Sequence, residues 1–130
     1  MKILSTEKEF SLTELNKPAD WSNLPGMAKK HVPIIDAPAT VKAGEPFVVK
    51  IKVGGIDGVK HPNTLSHWIN WVALYAEERL IARLELGAEL TDGYFVTINV
   101  TLNESATLKA QEFCNLHGVW EGQPKKIIVK

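Results

Sequence analysis

Short runs of β-favouring residues, each followed by a turn signal, limit what this chain of 130 residues can fold into. The clearest run covers residues 47–53, begins after Ala43-Gly44-Glu45-Pro46 and ends at Gly54-Gly55. Because several short strands at this spacing are typical of two packed sheets, the sequence predicts an all-β fold, an antiparallel β-sandwich of about seven strands. The other predicted strands cover residues 32–37, 68–75, 80–86, 94–102, 106–113 and 126–129.

The first 28 residues lack this pattern and are predicted to form an irregular N-terminal arm. Within it, Ser11-Leu12-Thr13-Glu14 has the spacing of a capping box, which predicts one short helix. Pro18 and the Pro25-Gly26 pair then interrupt regular structure. Farther along, residues 76–85 are rich in good helix formers, so a helix is the alternative to a strand there. The strand is favoured because the neighbouring runs are strands.

The composition is that of one folded domain, with 45% hydrophobic and 23% charged residues. Fifteen basic residues balance fifteen acidic ones, which argues against nucleic acid or an anionic membrane as a partner. No apolar run approaches membrane-spanning length, and the first residues lack the apolar core of a signal peptide. The single cysteine cannot form an intrachain disulfide, so a reducing, cytoplasmic location is predicted.

All four histidines and the cysteine fall in three short clusters. His31 follows two lysines, and His61 and His67 flank a Pro-Asn turn. Two residues separate Cys114 from His117, which is a spacing of metal-binding turns. Each cluster alone has an ordinary alternative, either a buried structural cysteine or a histidine at a strand end. Together they predict a metal centre, because imidazole and thiolate ligands select zinc or a redox-active transition metal.

The number of candidate ligands favours iron. Four imidazoles and one thiolate exceed the four ligands of a structural zinc site. In an octahedral site they leave one position open, and the thiolate donates electron density to the metal. Iron suits this mixed ligation and cycles between the ferrous and ferric states. One redox-active iron ion per chain is therefore predicted.

Three motifs carry a resemblance to a known family. They are Lys30-His31-Val32-Pro33, His61-Pro62-Asn63-Thr64 with His67, and Cys114-Asn115-Leu116-His117-Gly118-Val119-Trp120. The chain resembles the superoxide reductases of the neelaredoxin type, also called class II or one-iron, and the iron domain of desulfoferrodoxin. The resemblance implies an immunoglobulin-like β-sandwich. It spans residues 29–130, which would form a mononuclear iron superoxide reductase domain, preceded by the arm of residues 1–28.

The resemblance also implies how the iron is bound. Four histidines would form the equatorial plane, and the cysteine thiolate would be the axial ligand. The backbone N–H groups of Leu116 and His117 would donate hydrogen bonds to the cysteine sulfur, which tunes the metal. The implied ligands are His31, His61, His67, His117 and Cys114.

Two lysines precede the first ligand and differ in what the resemblance implies for them. Lys30 matches the family lysine beside the open position and would be catalytic, drawing in the superoxide anion and supporting proton delivery. Lys29 stands where many members have a glutamate that caps the sixth position of the ferric iron. A lysine ammonium has no acceptor, so it is not expected to replace that carboxylate.

The implied activity is that of an oxidoreductase, the one-electron reduction of superoxide to hydrogen peroxide. A rubredoxin-like protein would re-reduce the iron, and the chain would form a homodimer or homotetramer. One alternative is a blue-copper-like electron-transfer β-sandwich. Such a site usually has an axial methionine soon after the last histidine, whereas Met1 and Met27 lie far upstream. The other alternative is a non-enzymatic zinc-binding module.

Overall fold

The computed structural model describes residues 9–91 and 94–130, which contain nine β-strands and one short α-helix. The strands form two sheets that pack as a β-sandwich, which confirms the predicted all-β class. Helix α1 spans Gly26–His31. The strands are β1 (Pro33–Asp36), β2 (Thr40–Val41), β3 (Phe47–Val53), β4 (Ile69–Ala76), β5 (Arg79–Glu85), β6 (Phe95–Val100), β7 (Ala106–Cys114), β8 (Gly118–Glu121) and β9 (Lys125–Val129).

The smaller sheet contains three antiparallel strands in the order β1-β3-β6. Along β3, buried and exposed residues alternate without a break. Phe47, Val49, Ile51 and Val53 face the core, and each such burial stabilises the fold by roughly 1.5–3 kcal/mol. Because this alternation is so regular, the predicted bounds of the strand agree with the observed ones.

The larger sheet has the order β2-β9-β7-β4-β5, with β8 paired to β7. β7 has nine residues, so its first part pairs with β9 and its last part pairs with β8. The short β2 pairs in parallel with β9, which makes this sheet mixed and not wholly antiparallel. At the end of β7, Cys114 is opposite Ile69 of β4 and Gly118 of β8. The centre of this sheet therefore leads directly to the cysteine.

The two sheets enclose one continuous hydrophobic core. Ile51, Val72, Leu74 and Leu108 have no exposed surface and belong to the same cluster. Cys114 is also fully buried and packs at one end of this cluster. A rigid core thus supports the segment that carries the cysteine.

Two segments differ from the sequence-based predictions. The helix predicted after Ser11 is not formed, although the Ser11 hydroxyl accepts hydrogen bonds from the N–H groups of Thr13 and Glu14. The helix considered over residues 76–85 is also absent. That segment completes β4, turns at Glu77 with a φ of 53°, and continues into β5.

Helix α1 begins in the last residues of the predicted arm, extends to His31 and was not predicted. It has six residues and no side-chain cap at Pro25. Its buried residues are Ala28 and His31, and Ala28 packs with Val32 and Trp120 in a second, small core cluster. A helix this short is stabilised by such packing rather than by propensity. No helix in the described part of the chain is long and apolar enough to cross a membrane.

Candidate metal centre

The four histidines and the cysteine meet at one end of the sandwich, although they come from different elements. His31 is the last residue of α1, and His61 and His67 lie in the long connection between β3 and β4. Cys114 ends β7, and His117 lies in the tight turn before β8. The structure therefore brings together all five side chains that the sequence predicts as ligands.

The four imidazole rings form a closed quadrilateral. Neighbouring ring centroids are 4.8 Å apart for His31 and His61, and 4.6 Å apart for His61 and His67. His117 completes the figure, with its centroid 5.0 Å from both His67 and His31. The diagonal between His31 and His67 is longer, at 6.5 Å. Neighbouring rings meet edge to face, at angles between 69° and 83°.

The possible donor atoms converge within this quadrilateral. One ligand atom from each of His31, His61, His67 and Cys114 lies within 4.8 Å of all the others. The Cys114 Sγ is 3.3 Å from Nε2 of His61 and 3.7 Å from Nδ1 of His117. These separations suit atoms that share one metal ion, because ligand bonds of about 2.0–2.3 Å bring donors within a few ångströms of each other.

Unpartnered nitrogen atoms indicate that these histidines are arranged for a metal. The Nε2 atoms of His31 and His67 are buried and have no hydrogen-bond partner. Nδ1 of His31 is 2.8 Å from the carbonyl of Met27, and Nδ1 of His61 is 2.6 Å from that of Pro62. Because each carbonyl must accept a hydrogen, Nδ1 carries the proton and Nε2 keeps its lone pair. A buried lone pair without a donor would be costly, and a metal ion relieves that cost.

Burial keeps the imidazoles neutral. It is the main reason why the pKa of His31 is lowered to about 4 and that of His61 to about 3. A hydrogen bond to a backbone carbonyl opposes this shift in each ring, and the neighbouring histidines add to it. Burial also lowers the pKa of His67 and His117, and the positive charge of Lys30 lowers the pKa of both in the same direction. At neutral pH all four rings are therefore uncharged, which is the form that binds metal.

Two opposing effects act on the pKa of the Cys114 thiol, and the one that raises it is the larger. Burial raises the pKa of Cys114, whereas hydrogen bonds from the backbone N–H groups of Leu116 and His117 lower it. These are the two donors that the family resemblance implies. A metal cation would supply the remaining stabilisation that a buried thiolate needs.

Aromatic side chains surround the histidines on three sides. The Trp120 ring stacks on His31 at 5.1 Å, and its Nε1–H donates a hydrogen bond of 3.1 Å to the carbonyl of His117. The rings of Phe10 and His117 pack edge to face with centroids 4.7 Å apart, and those of Tyr94 and His61 do so at 5.6 Å. Trp120 lies within the third sequence motif, whereas Phe10 and Tyr94 were not predicted and have no signal in the local sequence.

Hydrogen bonds fix the two loops that carry ligands relative to each other. The Asn115 side chain accepts a hydrogen bond from the N–H of Trp68 and donates one to the carbonyl of Ser66, both at 2.9 Å. The Tyr94 hydroxyl donates to the carbonyl of Pro62 at 2.8 Å and accepts from the N–H of Ile69. The positions of His61, His67 and Cys114 therefore depend on one another.

The two lysines before His31 have different surroundings. Lys29 forms an ion pair with Asp57, with 3.0 Å between Nζ and the carboxylate. Lys30 is half-buried, and its charge acts on His31, His67, His117 and Cys114. The backbone at Lys30 is fixed by Gly54, where an added Cβ would lie 2.2 Å from the Lys30 carbonyl oxygen.

A buried carboxyl group lies two residues before the cysteine. Glu112 has no exposed surface, and neither of its oxygen atoms has a hydrogen-bond partner within the described structure. Burial raises its pKa well above the ordinary value, so the group is held in its neutral form. The sequence places Glu112 within a strand but gives no sign that its side chain faces inward.

Comparisons with known proteins agree with the resemblance seen in the motifs. The family model described as desulfoferrodoxin matches residues 24–123. The superoxide reductase of Pyrococcus horikoshii is 31% identical over 86% of this chain and 96% of that protein. The neelaredoxin of Megalodesulfovibrio gigas is 28% identical over 85% of this chain and 94% of that protein. A solved structure of the superoxide reductase (neelaredoxin) from Ignicoccus hospitalis aligns with a TM-score of 0.67 and 36% identity, over 77% of this chain and 81% of that chain. The chain therefore belongs to the desulfoferrodoxin family.

Proposed function

We propose that the protein is a one-iron superoxide reductase. The observation that carries this proposal is the quadrilateral of neutral imidazoles, with unpartnered buried Nε2 atoms, beside a buried thiol. The names of the relatives in two comparisons point to the same reaction. A zinc-binding module does not need a fifth ligand, and a blue-copper site does not need four histidines.

The proposed ligands differ in the charge that they bring to the metal. The histidines bind as neutral donors, because their Nδ1–H groups or their burial keep them unprotonated at the metal side. Cys114 supplies one negative charge, and the N–H groups of Leu116 and His117 moderate its donation. The proposed ligands are His31, His61, His67, His117 and Cys114.

The chemistry requires one electron and two protons for each superoxide anion, which then becomes one molecule of hydrogen peroxide. When bound, a ferrous iron supplies that electron. Lys30 attracts the anion through its positive charge and holds a proton at Nζ close to the centre. Lys29 contributes less, because its ammonium is paired with Asp57.

The substitution Lys30→Ala tests this role. We expect the second-order rate constant for superoxide to fall by about 10-fold or more and its dependence on salt to weaken, as for loss of electrostatic steering. Lys29→Ala is the matched control, since it removes an equal charge that is already neutralised by Asp57. Equal rates for Lys30→Ala and the control would remove Lys30 from the mechanism.

Iron content and the visible spectrum test the metal itself. We expect about one iron ion per chain and a charge-transfer band from the thiolate in the oxidised protein alone, as expected of a thiolate ligand on ferric iron. Replacing Cys114 by Ser should abolish the band, while replacing the remote Ser105 by Ala should leave it unchanged. A protein that binds zinc or copper in preference to iron would contradict the proposal.

The remaining parts of the proposal concern partners and organisation. A one-electron donor must restore ferrous iron after each turnover, and a rubredoxin-like protein is proposed for this step. The iron domain is proposed to cover residues 29–130, with the arm of residues 1–28 before it, and the chain to form a dimer or tetramer. A reducing cytoplasm is the proposed location, because the Cys114 thiol must stay reduced to bind metal.

Mixing the oxidised protein with reduced rubredoxin tests the proposed donor. Reduction of the iron should remove the charge-transfer band faster than in the same mixture without rubredoxin. Equal rates with and without rubredoxin would contradict this part of the proposal.

A further inference from the structure

The described part of the N-terminal arm, from residue 9 onward, lies against β8, the strand that follows the last histidine. The N–H of Asn16 donates to the carbonyl of Val119 at 2.9 Å, and the carbonyl of Asn16 accepts from the N–H of Glu121 at 3.0 Å. These two bonds join Asn16 in parallel to β8 at the level of Trp120. Asn16 and Phe10 precede residues 24–123, the segment matched by the family model. The arm therefore extends the metal-binding end of the sandwich.

The Asn16 side chain closes a small loop within the arm. Its Oδ1 accepts a 2.7 Å hydrogen bond from the N–H of Ser11, and its Nδ2 donates to the carbonyl of Ser11 at 3.0 Å. Nδ2 also donates to the carbonyl of Val119 at 2.9 Å. Asn16 is only 8% exposed, so an unmade bond here would carry a desolvation cost. An amide with one acceptor and two donors fits this position, and neither alanine nor aspartate makes the same bonds.

The close approach of the arm requires a glycine on the opposite side. Gly118 has a φ of 84°, in the left-handed region that favours glycine. A Cβ at this position would lie 2.5 Å from the carbonyl oxygen of Ser11. Because Gly118 follows His117 directly, the arm and the ligand turn are in contact through their backbones.

Two aromatic contacts connect this clasp of Ser11, Asn16 and Val119 to the histidines. Phe10, just before the clasp, packs edge to face with His117, with ring centroids 4.7 Å apart and an angle of 78°. Trp120, paired with Asn16, stacks on His31. Phe10 and Trp120 also belong to the same small hydrophobic cluster. A disturbance at Asn16 therefore reaches two of the proposed ligands through one intervening side chain each.

We propose that Asn16 is a positioning residue of the metal centre. It fastens the arm to β8 so that Phe10 and Trp120 hold the imidazoles of His117 and His31 in their binding orientations. His117 lies in the tight turn before β8, and its Nδ1 is 3.7 Å from the Cys114 sulfur. The inference rests on the proposed metal centre but not on superoxide chemistry, because it concerns only how firmly the metal is held.

The experiment compares Asn16→Ala with Ser105→Ala in the full-length, iron-loaded protein. Ser105 is the matched control, since its hydroxyl accepts a hydrogen bond from the N–H of Val129 at 2.9 Å. It lies just before β7, at the end of that strand opposite Cys114. The readouts are the rate of iron loss to an excess of a coloured chelator, the energy of the thiolate charge-transfer band and the free energy of unfolding.

For Asn16→Ala we expect iron loss to accelerate by about 10- to 100-fold, the range typical when a group that orients metal ligands is removed. The charge-transfer band should also shift, because the orientation of His117 beside the thiol changes. Ser105→Ala should lose iron at the rate of the unchanged protein. If Asn16→Ala lowers only the free energy of unfolding, and leaves iron loss and the band unchanged, the inference is overturned.

A second variant keeps the test decisive if Asn16→Ala does not fold. Phe10→Ala removes no hydrogen-bonding group of the clasp, and it removes the ring that contacts His117 and packs in the small cluster with Trp120. Faster iron loss in this variant supports the inference, and an unchanged rate overturns it. Failure of the proposed function would look different, since the unsubstituted protein would then bind no iron or would bind it without reducing superoxide.

Discussion

Acid should destabilise the metal-free protein over a pH range that two buried histidines determine. Burial lowers the pKa of His31 to about 4 and that of His61 to about 3, from an ordinary value of 6.5. Below pH 6.5 the unfolded chain binds protons that the folded protein does not, so the free energy of unfolding falls with pH. The stabilisation is complete above pH 6.5 and is lost as the pH falls toward the folded-state values.

The size of the effect follows from these shifts. Each of the two imidazoles removes about 1.4 kcal/mol per pH unit while its folded form stays neutral. From pH 6.5 down to about 4.5 the two together remove roughly 5 kcal/mol, which approaches the total stability of many small domains. His67 and His117 act in the same direction, because burial lowers the pKa of each.

One group acts in the opposite direction and must be removed for a clear measurement. Glu112 stays protonated in the folded protein above the pH at which the unfolded chain releases its proton, so it favours the folded state as the pH falls. Urea unfolding of the metal-free Glu112→Gln protein, followed by tryptophan fluorescence from pH 4.5 to 7.5, isolates the histidines. His61→Gln in the same background should lose a substantial part of the pH dependence, though less than half, because His67 and His117 contribute to it as well. A free energy of unfolding that stays within about 1 kcal/mol across this range would refute the reasoning.

Three further predictions concern single side chains. Glu112→Gln should gain stability relative to the unsubstituted protein as the pH rises above the ordinary carboxyl pKa, because the raised pKa of the buried carboxyl costs the unsubstituted protein stability there. A difference in urea midpoint between the two proteins that is the same at pH 5 and pH 8 would argue against this. Trp120→Phe keeps a ring against His31 but removes the hydrogen bond to the His117 carbonyl. The free energy of unfolding in urea should therefore fall by about 0.5–1.5 kcal/mol, and an unchanged value would mean that water replaces the indole donor. Gly122→Ala places a Cβ 1.8 Å from the Pro33 carbonyl oxygen and should destabilise the protein by about 1–3 kcal/mol, which an unchanged thermal midpoint would contradict.

The strands that were predicted from the sequence are those with a strong period of two or a clear turn at each end. β3 is the clearest case, because its inward and outward positions alternate over seven residues. β2 and β8 were missed because they are short and are defined by their partners β9 and β7. Helix α1 was missed for a similar reason, since its six residues are held by the packing of Ala28 and His31. At Ser11 the local capping bonds form, but the following Leu12 and Leu15 stay exposed, so no buried apolar face supports a helix.

The candidate site also has a part that the sequence predicts and a part that it does not. Its histidines and cysteine could be predicted because imidazole and thiol groups are few in this chain and are clustered. Their roles as ligands remain a prediction until a metal is measured. The side chains around them could not be predicted, because Phe10 meets His117 and Tyr94 meets His61 across long stretches of chain. Only the fold determines such contacts.

The convergence of the five ligands has a consequence for folding as well as for chemistry. A metal ion bound there would connect α1, the loop before β4 and the turn after β7 at a single point, and so cross-link segments from residue 31 to residue 117. Secreted proteins obtain such long-range cross-links from disulfides, and a chain with one cysteine cannot. Because the unfolded chain lacks the assembled site, metal affinity becomes conformational stability. Scarcity of the metal would then remove protein as well as activity, because the metal-free chain unfolds more often and is degraded sooner.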